Sequence, residues 1–108
     1  MEQQVIDRRH NPRFAVTAHG GVRATLRPGC VVALVDICAG GTLVEAPRPL
    51  RPGASVHLRV TTAGKAIAVT AHVLRCMVWS IDPLEGIRYR GALKFERNVD
   101  WNPRDAAR

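Results

Sequence analysis

The sequence has no long apolar run. The longest, Val31 to Val35, is of strand length and far short of the ~20 residues that a membrane span needs. The opening residues, Met-Glu-Gln-Gln-Val-Ile-Asp-Arg-Arg, hold no apolar h-region. That speaks against a signal peptide and for a cytoplasmic protein. Cysteine is scarce: Cys30, Cys38 and Cys76 are an odd set with no C-x-x-C pair. A disulfide framework or zinc knuckle is therefore not expected. Aromatics number five in 108 residues, which leaves little for a base-stacking surface. There is no ordered Ser-His-Asp set, no paired-carboxylate site and no Gly-rich phosphate loop before a helix. The sequence does not read as that of an enzyme, and it implies no cofactor. His10, His19, His57 and His72 are scattered and are expected to be solvated rather than metal ligands. Negative charge is short as well: nine Asp+Glu face sixteen Lys+Arg, for a net charge of +7. Such a surface attracts nucleic acid, nucleotides or acidic lipids. Lysine itself is rare. Lys65 and Lys94 are the only two, so the other fourteen cations are arginines. Arginine grips phosphates and base edges through a planar fork, although an Arg-rich codon usage would leave the same composition.

What remains has a β texture. The length allows one domain. Runs rich in Val, Thr, Ile and Leu are punctuated by Gly and Pro from Phe14 to Phe95. They predict strands at 20–27, 30–38, 42–46, 54–62, 66–79 and 86–96. Tight turns are expected at Arg27-Pro28-Gly29-Cys30, Thr62-Ala63-Gly64-Lys65 and Asp82-Pro83-Leu84-Glu85-Gly86. In 54–62, Val56, Leu58 and Val60 alternate with polar residues. In 66–79 the apolar parity runs Ile67, Val69, Ala71, Val73 and then shifts to Leu74, Cys76, Val78. One extra residue near Val73-Leu74 would do this, which predicts a β-bulge. In 86–96, Tyr89 and Phe95 share the apolar parity and are expected in the core, as is Phe14. Six strands with one apolar face each predict a small closed antiparallel barrel without exposed edges. Residues 1–13 read as a loose basic arm, 14–97 as the barrel and 98–108 as a short tail.

Two segments could carry chemistry. Arg8-Arg9-His10-Asn11-Pro12-Arg13 sets Arg9 and Arg13 four residues apart, with Arg8 beside them. In a segment restrained by Pro12 they could close on one ligand from two sides. In Val35-Asp36-Ile37-Cys38-Ala39-Gly40-Gly41, alternation turns Val35 and Ile37 inward and Asp36 and Cys38 outward together. The glycines allow close backbone approach. A low-pKa thiol at Cys38, near basic residues, is a minor alternative.

Together the two segments resemble the paired signatures of the PilZ domain family, R-x-x-x-R and D/N-x-S-x-x-G. The first matches as Arg9-x-x-x-Arg13. The second matches as Asp36-x-Cys38-x-x-Gly41, with cysteine where the family has serine. One predicted hairpin separates them, as in the family, and Tyr89 to Phe95 is similar to the family's closing strand. The resemblance spans residues 8–96. It implies a six-stranded barrel that binds the bacterial second messenger cyclic di-GMP and signals to a downstream protein partner. Arg9 and Arg13 would clasp phosphates and a guanine edge, since guanine O6 and N7 accept an Arg fork. Asp36 and Cys38 would meet a guanine, and Gly41 would leave room for it. A basic residue at the position of Arg8 is associated in the family with a stacked pair of ligands, which implies two per chain. The thiol of Cys38 bonds hydrogen more weakly than a hydroxyl, so weakened affinity is expected. Two other readings stand beside this one: an adaptor that kept the barrel and lost the ligand, and a general basic nucleic-acid-binding barrel.

Overall fold

The computed structural model describes residues 14–15, 22–27, 29–62 and 64–100. The Arg8, Arg9 and Arg13 positions, and the looseness expected of the arm, lie outside these residues. Among the described residues, seven strands form one antiparallel sheet: β1 (Phe14–Ala15), β2 (Arg23–Leu26), β3 (Cys30–Cys38), β4 (Gly41–Ala46), β5 (Ser55–Thr62), β6 (Lys65–Asp82) and β7 (Gly86–Phe95). The six long strands are those expected from the sequence, with ends moved by a few residues. The two-residue β1 is an addition. Pairing runs β3-β2-β5-β6-β7-β4, and β4 also pairs with β3, so the chain of pairings returns on itself. β1 joins the ring through β3.

Alternation decides what fills the interior. Leu58 and Val60 of β5, Ala24 and Leu26 of β2, and Val69, Ala71 and Val73 of β6 are all buried. They pack with Ile37, Val44, Leu93 and Phe95 into one continuous apolar core. Each large side chain removed from water there stabilises the fold by about 1.5–3 kcal/mol. Val99, in the segment read as a tail, also belongs to this core. Its amide donates to the Ala39 carbonyl at 2.9 Å, which ties the chain end to the β3–β4 turn. Phe95 meets its core expectation, but Tyr89 is only half-buried.

The bulge in β6 is where the parity shift puts it, between Val73 and Arg75. Its cause lies in the loop before β5. Gly53, at φ +89°, donates its amide to the Val73 carbonyl at 2.7 Å, and the Val73 amide donates to the Ala54 carbonyl at 2.9 Å. The β5 ladder has ended one residue earlier, at Ser55 and His72. Beyond this point the expectation fails. Leu74 and Val78 do not resume the core face; they are 55% and 54% exposed. From Leu74 to Asp82, β6 pairs with β7 alone, so no third strand covers it. Asp82 closes the far end, its carboxylate accepting from the amides of Leu84 at 2.7 Å and Glu85 at 2.9 Å. Gly86 completes the turn at φ +90°. Among the described residues no helix is long and apolar enough to cross a membrane.

Candidate functional site

The second motif occupies the end of β3, a two-residue turn and the first residue of β4. Asp36 faces Leu43 and Cys38 faces Gly41 in register. The Thr42 hydroxyl donates to the Asp36 carbonyl at 2.5 Å and fixes the strand backbone beneath the carboxylate. β3 carries its own irregularity: the register with β4 shifts between Leu34 and Asp36, which sets Val35 at a bulge. Val35 is accordingly half-buried, while Ile37 is wholly buried.

β1 supplies the link to the first motif. Phe14 pairs with Ile37 and Ala15 with Asp36. Phe14 follows Arg13 in sequence, so this two-residue bridge holds the segment after the first motif against the strand that carries the second.

Asp36 is half-buried, with one carboxylate oxygen shut off from solvent. Cys38 departs from the expectation of an outward, open thiol. It is 6% exposed, though it stands outside the continuous core. Alternation alone does not set exposure at a strand end that other segments cover. Gly41 has a reason within the fold. A Cβ there would lie 2.5 Å from the Leu93 carbonyl oxygen of β7, so the absent side chain lets β4 and β7 close. His57 and His72 do not bond to one another. His57 Nδ1 meets the Thr70 hydroxyl and His72 Nδ1 the Ser55 hydroxyl, each at 3.1 Å. Among the described residues no His, Cys, Asp and Glu cluster suits a metal.

Sequence reading missed one cluster. Glu45 of β4 binds Arg88 and Arg90 of β7, each through Nε at 3.3 Å, and the Arg90 guanidinium stacks 3.7 Å over the Trp79 ring. The register of β4 on β7 brings these residues together, and no local motif announces it.

Comparison with known proteins follows the same lines. The family model described as the PilZ domain matches residues 7–104. A search of curated protein sequences finds no significant match. Among solved structures, the chain is similar to the PilZ domain with c-di-GMP of YcgR from Escherichia coli. The TM-score is 0.65 at 16% identity, over 83% of this chain and 79% of that one. It is also similar to the K. pneumonia MrkH–c-di-GMP complex, with a TM-score of 0.63 and 20% identity, over 83% of this chain and 45% of that one. At such identities the structural likeness speaks for the fold. The family model, which matches nearly the whole sequence, settles the membership: this chain belongs to the PilZ domain family.

Proposed function

We propose that this protein is a non-catalytic receptor for cyclic di-GMP, built on a small barrel whose wall is the ring of six strands. The observation that supports the reading is the pairing of Phe14 and Ala15, which follow the Arg arm in sequence, with Ile37 and Asp36. Arg9 and Arg13 grip the phosphates and a guanine edge, Arg8 supports a second stacked ligand, and Asp36 accepts from guanine N–H donors. Cys38 lies beside the base, and the strand closure at Gly41 keeps the turn thin enough for approach. Both similar solved structures are described with c-di-GMP, which supports the same ligand here. Ligand binding orders the arm and alters a surface read by a protein partner.

Calorimetric titration with cyclic di-GMP, against GMP and cyclic di-AMP, is the test. Arg9→Ala and Arg13→Ala should each weaken binding tenfold or more, since a charge-assisted hydrogen bond is worth about 1.5–3 kcal/mol. Two ligands per chain are expected, falling towards one in Arg8→Leu. Affinity unchanged in both alanine variants would remove the arm from the site. The burial of Cys38 favours a second reading, an adaptor that no longer binds the nucleotide; a flat titration of the unmodified protein would select it.

A further inference from the structure

The outer face of β2, β5 and β6 holds an open depression of about 1080 Å³. It lies on a different arc of the ring from Asp36 and Gly41. Cross-strand register builds it in rows. Thr25, Arg59 and Ala68 stand side by side on β2, β5 and β6. His57 and Thr70 form the next row, held by their own hydrogen bond. The Arg27 amide donates to the His57 carbonyl at 3.0 Å, which fixes Arg27 at the rim. Across the trough, Arg97 donates to the Ala68 carbonyl at 2.9 Å. Ala66 and Ala68 occupy outward strand positions where longer side chains would fill the space.

The charges in this trough are uneven. Arg27 and Arg59 are exposed and have no side-chain hydrogen bond or ion pair to any described residue. Arg88 and Arg90, by contrast, share Glu45 as an ion-pair partner. Among the described lining residues the single carboxylate is Glu96, and it is engaged by His72 at 3.3 Å. Three arginines, Arg27, Arg59 and Arg97, thus line an open trough whose walls also hold the hydroxyls of Thr25 and Thr70. Guanidinium forks suit phosphate oxygens. The volume exceeds what one phosphate fills and matches a nucleotide-sized ligand. No described Phe, Tyr or Trp lines the trough, and its one ring, His57, is bonded to Thr70, so recognition would rest on phosphates more than on stacked bases.

We propose that this trough is a second anion site, on a different arc from the Asp36–Gly41 strand end, that takes ligands carrying several phosphate groups. Two sources share that chemistry: a nucleoside polyphosphate and the backbone of a single strand of nucleic acid.

The test is fluorescence titration of the full chain with labelled ATP and with a short labelled oligothymidylate. Binding of either supports the site, and the tighter of the two names the source. Arg59→Ala and Arg27→Ala should each weaken that binding roughly tenfold, while leaving cyclic di-GMP titration unchanged. Arg48→Ala and Arg51→Ala remove the same charge from the exposed loop before β5 and should change affinity less than about twofold. Saturating cyclic di-GMP should not displace the probe. The proposal is overturned if neither probe binds, if the loop variants weaken binding as much as Arg59→Ala, or if cyclic di-GMP competes. Cyclic di-GMP binding is read separately on the same variants, so failure here does not touch the arm site.

Discussion

Gly41 is the position where motif and fold can be separated by one methyl group. A Cβ at this residue would stand 2.5 Å from the Leu93 carbonyl oxygen, with Leu93 C and Lys94 Cα at 3.6 Å. The obstacle is backbone, not a side chain that can swing away. Leu93 is itself 2% exposed and bears on the core, and Phe95 donates to the Gly40 carbonyl at 2.9 Å just beyond. To accommodate alanine, β7 must withdraw from β4 by most of an ångström at a point pinned on both sides. Overpacking of this kind destabilises by about 1–3 kcal/mol. Removing glycine also stiffens the unfolded chain, which returns about 0.4–1 kcal/mol. The expected net loss is about 1–2 kcal/mol, or roughly 5–15 °C in Tm for a domain of this size. Gly64→Ala is the matched control, because its Cβ would meet nothing within 4 Å; it should leave Tm equal or slightly higher. Thermal unfolding by circular dichroism reads both. If Gly41→Ala melts within about 2 °C of the parent, the close approach does not govern this glycine. Its place in the motif would then have to be explained by the ligand alone.

Two further expectations concern the motif cysteine and the hairpin tip. Cys38 is buried while Cys30 and Cys76 are half-buried, so a thiol reagent should modify Cys30 and Cys76 first; early labelling of Cys38 in mass-spectrometric peptide mapping would contradict its placement. At the tip, the amides of Glu85 and Leu84 hold the Asp82 carboxyl below its ordinary range. A depressed carboxylate contributes stability that is present above its unfolded value and is lost as pH falls through the lowered one. Asp82→Ala should therefore speed amide exchange at Leu84 and Glu85 at neutral pH, and acidification through that lowered value should erase the difference. Equal exchange in both proteins at neutral pH would refute the cap.

Much of the fold was legible because one face of each strand is apolar. In β5 the alternation of Val56, Leu58 and Val60 fixes register and burial together. The parity shift at Val73-Leu74 announces a bulge, and the bulge is there. The exposure of Leu74 and Val78 was not legible. Parity tells which residues share a face, but whether that face is covered depends on how far the β5–β6 ladder reaches, and it stops at Ser55 and His72. The bulge at Val35 was hidden for a different reason. Val31 to Val35 is continuously apolar, so no break in pattern marks the extra residue. The site divided the same way. Asp36, Cys38 and Gly41 fall together because two residues make the turn between them. The pairing of Phe14 with Ile37 beside them and the cluster of Glu45, Arg88 and Arg90 both depend on long-range strand register. Neither is written in local sequence.

The closed ring of pairings also constrains where binding can occur. Its interior is filled by Leu26, Ile37, Val44, Leu58, Val60, Val73 and Leu93, all nearly inaccessible, so no ligand enters it. Recognition is left to the outer surface, and there the net positive charge is not spread evenly. On the β4–β7 arc, Glu45 takes up Arg88 and Arg90, and Trp79 covers one of them. The charge of that arc is thereby partly offset and its guanidinium groups are already engaged. On the β2–β5–β6 arc, Arg27 and Arg59 carry charge without a described partner. At the β3 end, the chain after Arg13 is held against Asp36. Strand register holds each set of side chains at fixed spacing, and preorganisation of that kind is what turns diffuse positive charge into a defined site.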